Sequence, residues 1–221
     1  MKYFKSYLII IFLFYIPIQA LGFDFLGRVK TYGIGYNSGA STKEVDLLKY
    51  DSSFTAGASD NASSNNVSFY MNNYKFFGGF RKDLIGNLEI ETRGVLEHYN
   101  FHSESVINGK CIIGPGLEFI LGAGDMLNLQ LGYTFCDSQF GISEVYILDT
   151  ETPQQNPYEN TMNKLQYGLG LSFESDTKYS KSIFGGRLYF TQNNIELYLR
   201  KFGNRQKIEF ATIGLELYLV N

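Results

Sequence analysis

The chain has 221 residues and a formal net charge of −3; it is rich in Gly (23), Phe (19) and Tyr (17) and poor in Pro (4). That charge balance, with no long basic run, argues against nucleic-acid binding. Two histidines and two cysteines in no ligand-like spacing leave no zinc site and imply no cofactor.

Residues 1–20 have the three parts of a secretory signal, with Lys2 and Lys5 before the apolar run Leu8 to Ile18 and small residues for cleavage near Ala20 or Gly22. The run is broken by Pro17 and falls well short of the roughly 20 helical residues that cross a bilayer. The mature chain, 23–221, is expected to form a single domain. An exported chain rich in glycine and aromatics fits antiparallel sheet.

In chain order, strands are predicted at 23–36, 67–80, 88–101, 110–121, 127–140, 163–174, 182–201 and 206–219. The clearest is the fifth: Leu127, Leu129, Leu131, Tyr133 and Phe135 alternate with Asn128, Gln130, Gly132 and Thr134. The sixth repeats the pattern, with Leu165, Tyr167, Leu169, Leu171 and Phe173 on one face and Gln166, Gly168, Gly170 and Ser172 on the other. In the third, Leu88, Ile90 and Leu96 oppose Glu89, Glu91, Arg93 and Glu97. The fourth turns Ile113, Leu117 and Phe119 away from Gly114, Gly116 and Glu118, with Pro115 marking an expected bulge. The seventh changes phase, since Phe184, Leu188 and Phe190 are even-numbered and Ile195, Leu197 and Leu199 are odd. A bulge there keeps eight strands; a turn at Gln192-Asn193-Asn194, with an added strand near 44–57, makes ten. Eight is preferred, because ten would put the long segment 141–162 on the side of the short turns.

Short and long connections alternate, as in an all-β, antiparallel up-and-down transmembrane barrel with outer loops 37–66, 102–109 and 141–162. The opposing choice is a soluble periplasmic barrel with the same period and its apolar face inward, around an apolar ligand. Glycines on the polar face favour the membrane choice, because a narrow eight-stranded interior gives them a reason. The final stretch Thr212-Ile213-Gly214-Leu215-Glu216-Leu217-Tyr218-Leu219 resembles the terminal insertion signal of outer-membrane barrels, although Leu219-Val220-Asn221 lacks the terminal aromatic. On that octet and the architecture, the chain resembles the small eight-stranded group that includes outer-membrane protein A, outer-membrane protein X and the opacity proteins. The resemblance implies residence in the outer membrane of a double-membraned bacterium and a lumen closed by salt bridges; a monomer is expected, although the sequence does not fix the oligomeric state.

In this register Arg28, Lys30, Glu89, Glu91, Arg93, Glu97, Glu118, Arg187 and Glu216 face the lumen. Charges of both signs in so narrow a space should pair. The sharper alternative is a gated ion path, a small channel. The acidic loop 141–162 holds Glu144, Asp149, Glu151 and Glu159, and its Val145-Tyr146-Ile147-Leu148 could continue a strand above the membrane. Arg200, Lys201, Arg205 and Lys207 form a basic rim on the last hairpin that could hold lipid or lipopolysaccharide phosphates. His98, His102, Ser103, Glu104 and Ser105 are the only material for a lipid-modifying enzyme, too little to expect one. Cys111 and Cys136 sit at corresponding heights; in simple alternation they point to opposite faces, which forbids a disulfide unless a bulge shifts the phase. The expected role is adhesion or interaction with a host or surface ligand through the loops, with envelope integrity beside it.

Overall fold

The structure, a computed structural model, describes residues 29–43, 45–46, 66–84, 87–103, 107–123, 126–137, 140–147, 160–175, 183–199 and 204–221. The leader expected at 1–20, Arg28 and the middle parts of the long outer connections lie outside the described residues.

The wall is a closed antiparallel barrel of eight strands. They are β1 (Val29–Ser41), β4 (Phe69–Asp83), β5 (Leu88–Ser103), β6 (Ile107–Ala123), β7 (Leu127–Thr134), β9 (Asn160–Glu174), β10 (Ile183–Leu199) and β11 (Asn204–Val220). Each pairs with its neighbour in sequence, and β1 with β11 completes the ring. A two-residue pair, β2 (Val45–Asp46) with β3 (Asn66–Val67), lies in the first outer connection. β8 (Ile142–Ile147) resumes the line of β7 after a break and pairs with the outer part of β6. That break divides the strand expected over 127–140, and β8 is the extension expected at Val145-Tyr146-Ile147. The ten-strand alternative is excluded.

Outward side chains give the wall its class. Leu127, Leu129 and Leu131 of β7, Leu169, Leu171 and Phe173 of β9, and Ile213, Leu215, Leu217 and Leu219 of β11 all face away from the interior and are exposed. Phe76 of β4 is 67% exposed, more than a chain in water would leave uncovered around a whole circumference. A continuous apolar belt over a polar interior is the polarity of a barrel in lipid, and it rules out the soluble choice. Short turns and both ends of the barrel chain lie on one side of the belt, which assigns that side to the periplasm.

The phase change in the seventh strand proves not to be one. β10 runs unbroken from Ile183 to Leu199, in one register with β9 and β11, with no bulge or turn at 192–194. Arg187, Tyr189, Thr191, Asn193, Ile195 and Leu197 all face inward. What changes is the environment outside. Below, Phe184 and Phe190 meet lipid; above, the outward positions are Gln192, Asn194 and Glu196, and beyond Asn193 the inward ones turn apolar. β11 does the same, with Lys207 and Glu209 outward over Ile208 and Phe210 inward. The strands thus continue past the membrane as a turret with the polarity of a soluble barrel.

Candidate functional site in the barrel lumen

Odd positions of β4, β5 and β10 and even positions of β7, β9 and β11 converge on the membrane-level lumen. Glu216 is its hub: it accepts from Arg93 Nη1 at 2.8 Å and Arg187 Nη1 at 2.9 Å, and Lys75 Nζ lies at 2.6 Å. Glu91 accepts from Arg93 through Nε at 2.7 Å and Nη2 at 3.0 Å, from Arg187 Nη2 at 3.3 Å, and from the Thr31 hydroxyl at 2.5 Å. Lys75 also reaches Glu118 at 2.7 Å. Higher up, Glu97 holds Lys164 at 2.8 Å and accepts from Asn73 Nδ2 and the Thr134 hydroxyl. The Arg93 guanidinium lies 3.9 Å from the centre of the Phe77 ring, and Arg187 Nε donates to Ser172 at 3.0 Å.

Four cations (Lys75, Arg93, Lys164, Arg187) and four carboxylates (Glu91, Glu97, Glu118, Glu216) are each no more than 2% exposed. Among the described residues these eight charges balance one another, and Arg81, buried nearer the periplasmic mouth, adds a fifth cation. Each charge taken out of water costs several kcal/mol, and only close, multiply bonded partners offset that cost. The bidentate Arg93–Glu91 contact and the three cations on Glu216 meet that condition. Glycine makes the packing fit: a Cβ at Gly33 would strike the Phe77 ring, and one at Gly214 the Tyr189 ring. At the periplasmic mouth Arg81 contacts Glu174 at 2.5 Å and Glu89 at 3.7 Å, and the Tyr218 hydroxyl donates to Glu174 at 3.0 Å.

Above the charges the lumen changes character. Phe69, Met71, Tyr99, Phe101, Met162, Ile195, Leu197, Ile208 and Phe210 form one buried cluster, each at most 1% exposed, together with both cysteines. The Phe101 ring packs edge-on against Phe69 and 6.2 Å from Phe210. The Tyr99 hydroxyl donates to the Met162 carbonyl. Cys111 and Cys136 are joined in a disulfide with Cα atoms 6.0 Å apart, tying β6 to the end of β7 where the wall is interrupted. Simple alternation forbade this bond. The correction lies in β6: Glu97 faces Gly114 and Tyr99 faces Cys111, so β6 carries one extra residue between those pairs. The bulge falls at Ile112 and Ile113, just before Pro115, and it turns Cys111 inward.

Of the lumen residues expected from sequence, Glu91, Arg93, Glu97, Glu118, Arg187 and Glu216 meet in this network, and Glu89 sits at its mouth. Lys30 does not, since it is exposed beside the inward Thr31; the strand is one step out of the expected phase there. Arg28 lies outside the described residues. Sequence reasoning missed Lys75, Lys164, Arg81 and Glu174. Lys75 hides between Tyr74 and the pair Phe76-Phe77; only the odd-numbered series Asn73, Lys75, Gly79, Arg81 could have disclosed it. His98 and His102 point outward and Ser103 inward, so no imidazole of the pair shares a face with that hydroxyl. Glu104 and Ser105 lie outside the described residues, as do Asp149, Glu151, Glu159, Arg200 and Lys201. Of the basic rim, Lys207 faces outward, 3.2 Å from Glu209, whose other oxygen is 3.5 Å from Lys43. Arg205 stands opposite Tyr198 in the last hairpin.

An apolar belt around a narrow, internally bonded lumen defines a small outer-membrane β-barrel. No protein-family model and no curated protein matches the chain. Among solved structures it is similar to the outer membrane protein AlkL, determined by solid-state NMR in DMPC lipid bilayers. That similarity has a TM-score of 0.47 and 11% identity, over 88% of this chain and 90% of the other.

Proposed function

We propose that the protein is an anchored surface barrel: a non-conducting membrane base and a rigid turret that hold the outer loops away from the lipid for interaction or adhesion, with a companion part in envelope integrity. The observation carrying this reading is the balanced set of four cations and four carboxylates, buried across the lumen beneath a continuous apolar cluster. An ion entering would have to displace close, charge-assisted bonds below and then cross a packed hydrocarbon layer above, both costly. A selective pore gains nothing from an interior closed by its own ion pairs. The long connections between β1 and β4 and between β8 and β9 leave from the rim of the turret, where a rigid scaffold usefully presents binding segments. The reading assigns no catalytic step to the chain.

Planar-bilayer recording of the full chain tests the base: steps of porin size would overturn the non-conducting reading in favour of the small channel. Shortening the chain within 47–65 or 148–159 tests the display role. Surface binding should be lost while the barrel still inserts and migrates in its heat-modifiable form.

A further inference from the structure

We infer that the outer face of β1, β4 and β5, just above the apolar belt, is a seat for the phosphorylated sugar headgroup of an outer-leaflet glycolipid. The inference is independent of what the loops bind.

Lipid-facing side chains end on these strands with Ile34, Phe76 and Leu96, which stand side by side in register and are 51%, 67% and 54% exposed. One step outward on the same face, Tyr36, Tyr74 and His98 also stand side by side. Tyr36 and Tyr74 ring centres are 4.8 Å apart, and Tyr74 and His98 centres 6.4 Å apart. Higher on the same face, Tyr70 lies 5.7 Å from His102. The rings form a shelf at the depth where headgroups begin, the position at which amphipathic aromatics settle. Asn72 accepts from the Tyr36 hydroxyl at 2.9 Å, and Asn100 lies between the two imidazoles on β5.

Charge narrows the occupant. Among the described residues, the outward side chains of β1, β4 and β5 above the belt include two imidazoles and no carboxylate. Lys110 of β6 stands opposite Asn100 and adds an ammonium group; Glu144 of β8 is its register partner on the other side. The face formed by β10 and β11 differs, for Glu196 and Glu209 share it with Lys207. The β1–β4–β5 side is thus the more favourable to a phosphate. Phenol rings stack on the C–H faces of sugars, amides meet their hydroxyls, and an imidazole N–H or an ammonium group donates to phosphate oxygens; His98 Nδ1 lies 3.2 Å from the Ile112 carbonyl, which leaves its Nε2 edge toward the outside. A plain phospholipid would use the phosphate donors and leave the ring shelf without a role.

The test uses the full chain, purified in detergent and mixed with lipid A, with dephosphorylated lipid A or with phosphatidylglycerol, and native mass spectrometry to count bound lipid. The wild type should retain lipid A in preference to both others. The triple substitution His98→Gln, His102→Gln, Lys110→Gln should weaken retention about tenfold, the scale of one or two charge-assisted bonds. Tyr74→Leu should weaken it while leaving the phosphate preference. Unchanged heat-modifiable migration will report that each variant is still a closed barrel. Retention of lipid A by the triple variant at the wild-type level would overturn the inference. So would equal retention of phosphatidylglycerol, or a loss caused by Lys207→Gln in place of the triple change.

Discussion

The membrane base and the turret are cut from the same strands in the same register, yet one has a charged interior and the other a hydrocarbon one. On β10 the inward series passes from Arg187 through Thr191 and Asn193 to Ile195 and Leu197 without a break in alternation. On β11 it passes from Glu216 through Thr212 to Phe210 and Ile208. In lipid the outside supplies no hydrophobic drive, so the inside is free to be polar and is held by ion pairs. In water the outside must be polar, and closure has to come from burying apolar area within. A single backbone can satisfy both, because successive side chains on a strand face opposite ways whatever surrounds them.

That contrast is open to attack at both ends. The largest effect is expected at the hub: Glu216→Ala strands Lys75, Arg93 and Arg187 without their shared partner, and should cost at least the about 3–5 kcal/mol of a broken buried pair, read from unfolding in urea with the barrel in detergent. In the turret, Phe101→Ala removes the ring between Phe69 and Phe210 and should cost about 3–4 kcal/mol in the same assay. A much smaller loss there would mean that the turret is not a packed core. Opening the disulfide, by reductant or by Cys111→Ser with Cys136→Ser, releases a crosslink across a separation of 25 residues and should cost about 3 kcal/mol. The matching check is the mass of the unreduced chain, which should be two hydrogens lighter than the reduced one. The last is a paired test of the outer surface, read as a difference between two positions. Leu169→Arg places a charge in the belt and should cost about 2–4 kcal/mol, whereas Ala40→Arg, outward on the turret, should stay within about 0.5 kcal/mol. Equal penalties at the two positions would erase the boundary between base and turret.

Much of the base was legible because its code is redundant. Leu127 to Phe135 and Leu165 to Phe173 repeat one face several times over, and Glu91, Arg93, Glu118, Arg187 and Glu216 fall on the opposite face of well-marked strands. β4 was harder, since Phe occupies both faces there, with Phe69 and Phe77 inward and Phe76 and Phe80 outward. An aromatic on the inner face of a narrow barrel packs over glycine, as Phe77 does over Gly33, and blurs the alternation that would have exposed Lys75. The disulfide was left open for a different reason, although the pair and a bulge near Pro115 that would allow it were both readable. One extra residue in β6 inverts the face of every position beyond it, and a bulge leaves no local signature beyond a nearby Pro115.

By itself, the sequence determined most strand positions and the chemistry of the well-marked faces, because those follow from local geometry with a period of two. Only the tertiary structure decided which charges meet on Glu216, how the bulge at Ile112 and Ile113 brings Cys111 to Cys136, and where along each strand the inside ceases to be polar. These depend on register between strands far apart in the chain and on the height of each residue relative to the membrane, neither of which is carried by any one strand.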